Sequence, residues 1–394
     1  MDKFIAIPVG QGDSFYLLRN DFSILIDGGL SRSGFPGMFD LYAKTDRVNI
    51  VVCTHNDADH ANGLLGFLET GHGCDEVWLP GRWLDALPNI LKPILDVYLE
   101  LVINILNDPP DQSTDGINTR SSLLEKYSQR EVAPQSDAGK QNENNIIGND
   151  GWPVSLGDAL EQVESWDAKV LPLIYNDTLH EYLDNSQISI LMDAIDAADR
   201  IRKIATTAYH RGIPVRWFEY DVTSLPAGGN IFLEPLNARA VARIKPIAST
   251  LLFHLSLTVS NKESLVFWSP PTDHAPGVLF NADSDLANVT LPTTALNNAL
   301  ATSPHHGSDA NANAYTSVSN AAGASSNTIR WVRSDCRSKS RPGKTYLGLP
   351  SSNRVCTMCR LSTGVYTLKT EVSFTSSSGL WKSSSTTSTN CHCK

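Results

Sequence analysis

Val52-Cys53-Thr54-His55-Asn56-Asp57-Ala58-Asp59-His60 is the stretch on which the reading of this chain turns. Within six residues it places two imidazoles and two carboxylates: His55, Asp57, Asp59 and His60. Ile50–Cys53 is an apolar run that predicts a buried strand, and Ala61–Leu68 predicts the start of a helix. The ligand-type side chains therefore crowd a short loop at a strand's end. Neutral imidazole and carboxylate are groups that Zn²⁺ and Mn²⁺ accept. Converging without a metal they would repel and desolvate one another, so the spacing predicts a metal site.

Working outward, the flanks read as strands and turns. Phe4–Val9 is a strand, Gly10-Gln11-Gly12-Asp13 a tight turn, and Ser14–Leu18 a second strand. Ser23–Ile26 ends at Asp27-Gly28-Gly29, and Glu76–Leu79 ends at Pro80-Gly81. Two distant strands end in the same chemistry. Val278–Asn281 leads to Ala282-Asp283, and Leu300–Ser303 leads to Pro304-His305-His306-Gly307-Ser308. Two metals about 3.5–4 Å apart need several ligands each and a bridging group. Asp283 is a candidate bridge, and the histidine pair supplies a further imidazole. Asp13 and Asp27 are expected to bond loop amides or to hold the metal-bound histidines.

Residues 85–239 change character. Leu84–Leu106 reads helical, with Pro88 and Pro93 as breaks or kinks, and Ile188–Arg211 has helical spacing. Asn107–Asn149 reads as loop or linker. Further on, Thr250–Thr258 and Ser264–Trp268 are expected strands, Asn288–Ala299 a helix, and Ile329–Arg333 a late strand. Cys356-Thr357-Met358-Cys359 and Cys391-His392-Cys393 have spacings that suit a tetrahedral structural Zn²⁺, with free thiols or a redox pair as the alternatives. Val365–Lys369 and Glu371–Phe374 would form a small β-ribbon between them. Cys336 is a spare ligand; Cys53 and Cys74 read as buried structural residues.

Composition sets outer bounds. The 394 residues are 41% hydrophobic and 19% charged, as in ordinary globular chains. A net charge of −10 does not advertise a nucleic-acid partner. Yet Arg330–Lys369 holds nine Lys/Arg and one acid, either a solvated surface or a patch for an anionic substrate. Met1-Asp2-Lys3 runs straight into Phe4–Ile7, too short for a signal peptide, and Lys92, Asp96 and Glu100 interrupt the apolar stretch Ile90–Leu106. Seven cysteines, an odd number, argue against a secreted disulfide scaffold. The expectation is a cytoplasmic protein with no membrane partner.

Three motifs, in this order, carry a family resemblance. They are Val9–Ser14 with Leu25-Ile26-Asp27-Gly28-Gly29, then Thr54–His60, then Pro304–Ser308. The chain resembles the metallo-β-lactamase superfamily and, within it, the hydrolase domain of ComEC/Rec2 DNA-uptake proteins, over about residues 1–84 and 240–345. The resemblance implies an α+β fold, a four-layer αββα sandwich with metals at the edge between the sheets. Its halves would be 1–84 and 240–350, with a mostly helical insertion over 85–239. Residues 351–394 would be a short cysteine-rich C-terminal segment, a candidate zinc knuckle.

By the same resemblance His55 and Asp57 fall at one metal and Asp59 and His60 at the other, with Asp283 bridging. His306 is the preferred further ligand, His305 the alternative, otherwise contacting substrate. Asp57 stands where many members have His, which hardens the site and makes Mn²⁺ a competitor to Zn²⁺. Many members also bring a His-x-x-Gly from a strand before the bridging Asp. Here His254 sits in an apolar run and His274-Ala275-Pro276-Gly277 in a Pro-rich loop, so the first metal lacks an evident third ligand. One metal or two stays open.

The expected function is a metal-dependent hydrolase, a phosphodiesterase or nuclease using a metal-activated hydroxide. Asp59 or Asp283 would accept the water's proton. His305, or a basic residue of Arg333–Lys344, would bind the phosphate of a nucleic acid or another phosphodiester. One alternative is a small-molecule hydrolase, a lactonase or cyclic-nucleotide phosphodiesterase, which the net charge favours. The other is an effector or interaction subunit of a bacterial anti-phage system, meeting a protein partner through the insertion or the C-terminal segment.

Overall fold

The structure is a computed structural model and describes residues 1–107, 146–162, 185–245, 257, 263–368, 370–384 and 391–393. Strands β1 (Lys3–Ala6), β2 (Phe15–Arg19) and β3 (Phe22–Ile26) form an antiparallel meander. Asn20 and Asp21 take left-handed φ (47° and 68°) at the β2–β3 turn, as a tight hairpin requires. The sheet then runs parallel through β4 (Arg47–Val52), β5 (Gly73–Pro80) and β6 (Val215–Tyr220). Helix α1 (Phe35–Ala43) makes the crossover to β4, and α2 (Ala58–Glu69) that to β5.

The remaining strands are β7 (Glu234–Pro235), β8 (Ala238–Ala240), β9 (Phe267–Ser269), β10 (Val278–Phe280), β11 (Leu300–Thr302), β12 (Arg330–Arg333), β13 (Arg354–Cys356), β14 (Val372–Ser377) and β15 (Leu380–Ser383). Two mixed sheets result, ordered β15-β14-β1-β2-β3-β4-β5-β6-β8 and β13-β12-β11-β10-β9-β7. They share one core, in which Phe4, Phe15 and Val52 meet Phe267, Phe280 and Val332. Each such side chain, buried in full, contributes about 1.5–3 kcal/mol. On the first sheet's other face Tyr16 meets Phe39 of α1 edge-on, and Phe39 meets Phe67 of α2.

Contacts divide the chain into two units: 1–81, 215–241 and 261–394; and 82–214 with 242–260. The described part of the second unit holds the helices α3 (Gly81–Ile90), α4 (Ile94–Asn107), α5 (Gly157–Glu161) and α6 (Asn185–His210), with isolated β-bridges at Ile146–Arg243 and Ile147–Pro153. Pro93 separates α3 from α4, whereas Pro88 lies inside α3. Trp152 is buried here, donating from Nε1 to the Ile213 carbonyl at 3.0 Å. In the first unit, α7 (Ala312–Ala322) lays Ala314, Tyr315 and Val318 against Leu279 and Trp331, and α8 (Lys344–Gly348) follows. Among the described residues no helix is long and apolar enough to cross a membrane.

Several expectations meet a different structure. Asn288–Ala299 forms only a 3-10 turn at Thr293–Ala295. Asn288 and Asn298 sit at positive φ (62° and 57°), and Pro292 has no N–H to donate, so no continuous helix can run through. Residues 215–239, inside the block read as a helical insertion, supply β6, β7 and most of β8; Val215, Trp217 and Phe218 are strand formers. The Glu371–Phe374 strand does not form a separate ribbon but joins β14, which pairs antiparallel with β1 because Val372 and Phe374 face the shared core. Of the loop expected over Asn107–Asn149, 108–145 lie outside the described residues. So does the strand expected over Thr250–Thr258 apart from Leu257, and with it His254.

Candidate metal centre

Parallel strands deliver their carboxyl ends to one side, where open α/β sheets bind ligands. Asp27 follows β3, Thr54–His60 follow β4, Asp283 follows β10, the histidine pair follows β11 and Ser334 follows β12. Helix α2 begins at Ala58, so Asp59 and His60 occupy its first turn and not the loop predicted from sequence. Asp57 is its N-cap residue and makes no capping bond with its side chain. Carboxylates are favoured at this positive end of the helix dipole.

Glycines bring these pieces together. Gly12 has φ 104°, and a Cβ there would lie 1.7 Å from the Asp59 carbonyl oxygen. The turn thereby rests on α2, with the Asp13 amide donating to that carbonyl at 3.1 Å. A Cβ on Gly63 would lie 1.8 Å from the Gly28 carbonyl oxygen. His305 and His306 both take left-handed φ (47° and 54°), a costly conformation outside glycine and one that marks functional turns.

Asp283 lies at the middle, 1% exposed. Its Oδ1 is 3.3 Å from His60 Nε2, and its Oδ2 is 3.7 Å from His55 Nε2 and 3.3 Å from His305 Nε2. Asp57 Oδ2 lies 3.7 Å from His55 Nε2, and Asp59 Oδ2 lies 3.2 Å from His306 Nε2. Behind each imidazole stands an acceptor for Nδ1–H. Asp27 Oδ2 takes that bond from His60 at 2.8 Å, and Asp13 Oδ1 from His306 at 2.9 Å. The Thr54 hydroxyl donates to Asp27 at 2.7 Å and takes His55 Nδ1–H at 2.9 Å. Ser334 Oγ lies 2.9 Å from His306 Nδ1 and donates to Asp13.

These partners turn the Nε2 lone pairs of His55, His60 and His306 inward. All three Nε2 atoms are buried and make no hydrogen bond among the described residues. Buried polar atoms left in this way, facing carboxylates, suit a cation. Donor atoms of His55, His60 and Asp283 lie within 4.8 Å of one another, as do those of Asp59, His60 and His306.

Electrostatics agree. Burial works against ionising Asp283, yet His60, His55 and His305 hold its carboxyl well below the usual range. Burial likewise opposes Asp59, but His306 and His60 lower it further than burial raises it. Desolvation disfavours a charged His306, while Asp13 and Asp59 push its imidazole up to about 10. His60 is raised well above its ordinary value by Asp283 and Asp27 against the same penalty. In the metal-free fold the surrounding carboxylates thus favour proton uptake on His60 and His306, and a cation taking up the Nε2 lone pairs would compete with those protons.

His305 stands apart. Burial and Arg341 lower its pKa. Arg341 donates to its Nε2, and Asn311 Oδ1 lies 3.1 Å from its Nδ1. Arg333 begins the stretch expected to meet phosphate, but it is fully buried and donates to the Met358 carbonyl at 2.8 Å. His274 is exposed in a turn closed by Thr272 and lies in neither donor group. A cavity of about 750 Å³ lined by 222–227, 229–231, 234–236, Asn288 and Thr290 contains none of the ligand-type residues above.

Sequence reasoning missed Thr54, Ser334 and Gln11, and of the basic stretch Arg333–Lys344 expected to meet phosphate it is Arg341 that lies against His305. Gln11 Nε2 donates to Asp59 Oδ2 at 3.1 Å. Hydroxyls and amides carry no spacing signal, and Arg341 reaches the cluster only through the fold. The cysteines of the C-terminal segment also converge: Cys356, Cys359, Cys391 and Cys393 are buried, with sulfurs within 4.8 Å of one another. Cys336 is buried elsewhere, near Gln11 and Arg341, and Cys53 and Cys74 are buried as well. The family profile of the metallo-beta-lactamase superfamily matches residues 7–75, the stretch that holds the Gly10–Asp13 turn, Asp27 and His55–His60, and this match supports a metal-dependent hydrolase.

Proposed function

We propose that the protein is a metal-dependent phosphodiesterase, acting on a nucleic acid or another phosphodiester, built on a ComEC-like four-layer αββα sandwich. His55, Asp57 and Asp283 would hold one ion, and Asp59, His60, His306 and Asp283 a second. Zn²⁺ suits the imidazoles, and the carboxylate share makes Mn²⁺ a competitor. A divalent ion here would supply Lewis acidity, acidifying water and offsetting charge on phosphoryl oxygens.

The chain's own residues do the rest. Asp59 takes the water's proton: its side chain is 22% exposed against 1% for Asp283, so an arriving water can reach it. Arg341 presents its guanidinium to a phosphoryl oxygen, and His305 holds it at the cluster by accepting one of its N–H groups. Exposed Arg337, Lys339 and Lys344 extend the cationic surface for neighbouring phosphates. Asp13, Asp27, Thr54 and Ser334 keep the imidazoles turned toward the ions.

Arg341 carries this reading. A guanidinium matches the fork of a phosphoryl group, and a neutral lactone has no use for it. The test is cleavage of single- and double-stranded DNA, RNA, bis-p-nitrophenyl phosphate and a lactone, with Mn²⁺ or Zn²⁺. Phosphodiester cleavage that is lost in Asp59→Ala is the expected result; turnover of the lactone alone sinks the proposal. The net charge of −10 favours a second reading, a small phosphodiester such as a cyclic nucleotide. Oligonucleotide affinity that falls steeply with salt would decide against the smaller substrate.

A further inference from the structure

We propose that Cys356, Cys359, Cys391 and Cys393 bind a zinc ion as a closed tetrathiolate, and that this ion positions His306 through Arg333 and Ser334. The thiols are all free, and each residue is at most 6% exposed. They come from the end of β13, the turn after it, and the segment 391–393. Cys356 Sγ and Cys393 Sγ are 4.0 Å apart. That is too long for a disulfide and close to the roughly 3.8 Å edge of a tetrahedron with Zn–S bonds of about 2.3 Å.

Donors surround the sulfurs as they do around bound thiolates. The His392 amide donates to Cys359 Sγ at 3.2 Å, and the Cys393 amide to Cys391 Sγ at 3.4 Å. Arg333 Nη2 approaches Cys393 Sγ at 3.7 Å. Among the described residues Arg333 forms no ion pair with a carboxylate, and its Nε and Nη1 make no hydrogen bond, although it is 0% exposed. A guanidinium buried in this way is costly without a counter-charge. Four thiolates around Zn²⁺ form a dianionic centre and supply one.

The same short strap serves both centres. In the β12–β13 pairing Arg333 stands opposite Cys356. The Thr357 amide donates to the Arg333 carbonyl at 3.2 Å, and the Thr357 hydroxyl donates to Asp335. Between Arg333 and Asp335 lies Ser334, bonded to both Asp13 and His306. The sulfur cluster thus pins the residues on either side of the hydroxyl that orients His306. This inference does not depend on which substrate is cleaved.

The experiment uses the full chain as wild type, Asp59→Ala, Cys391→Ser and Arg333→Lys. Asp59→Ala is expected to keep one tightly bound zinc that Cys391→Ser loses. Loaded with Co²⁺, Asp59→Ala should show the intense visible bands and sulfur-to-cobalt charge transfer of a tetrahedral thiolate site. Absence of those bands, or an iron–sulfur colour in the purified protein, overturns the zinc site even if Cys391→Ser fails to fold. For the coupling, Zn²⁺ affinity of the histidine cluster is measured by chelator competition. A loss of about tenfold in Cys391→Ser and Arg333→Lys is expected, the lower end for outer partners of metal ligands. Unchanged affinity in Arg333→Lys overturns the coupling.

Discussion

The histidine–aspartate cluster and the cysteine cluster both gather ligand-type side chains from distant segments, but they are built to opposite plans. The cysteines are buried on all sides and offer four like donors, the pattern of a site that only holds. The other cluster mixes imidazole with carboxylate and leaves Asp57 and Asp59 partly open, at 28% and 22% side-chain exposure. Each imidazole there is fixed from behind by its own partner, so the open side can change occupant while the ligands keep their aim. Closure marks a structural centre, and a rigid floor with an open mouth marks a reactive one.

Substitutions can break that contrast in graded steps. Asp283→Ala is expected to lower phosphodiester turnover by about 10³-fold, the upper range for loss of one preorganised charged group. It should leave cysteine-bound metal intact; loss of both metals together would abolish the distinction between the centres. Asp27→Ala removes the acceptor behind His60 and the partner of Thr54. Metal affinity of the histidine cluster should fall about 10–100-fold, read by chelator competition, with the sulfur site unaffected. Arg341→Ala should raise KM for phosphodiesters by about tenfold, as loss of one charge-assisted bond implies, with little change for a neutral substrate.

The smallest effect is one of pH. In the metal-free fold His306 is raised to about 10, against an unfolded value of about 6.5. A raised folded value stabilises fully below pH 6.5, and that stability is lost as pH rises through about 10. Chelated protein should therefore lose a few degrees of Tm across this window. Metal affinity should rise over the same window, because the competing protons leave. A Tm of chelated protein that climbs from pH 6.5 to 10 would contradict the imidazolium assignment.

Much of this was legible in the chain because strands announce their own ends. Apolar runs at Ile50, Val278 and Leu300 stop at His55, Asp283 and His305-His306, and the fold gathers those ends. What escaped was whatever depends on other segments. Asn288–Ala299 is expected as a helix, but Asn288 and Asn298 adopt left-handed turns on either side of Pro292. The apolar run at Val215 was hidden in a helical neighbourhood and pairs with β5. Ser334 has no motif around it; only the register of β12 brings its hydroxyl to His306.

The pairing of β1 with β14 has a consequence for how the chain is made. The Asp2 amide donates to Ser376 Oγ at 2.9 Å across 374 residues of sequence. Until Val372–Ser377 leaves the ribosome, β1 lacks its β14 neighbour. An unpaired edge invites association with other chains, and contacts so far apart in sequence form slowly. The β1 edge therefore waits for a partner strand that lies far downstream in the sequence. A holdase that shields extended segments should raise its soluble yield more than one that assists late packing.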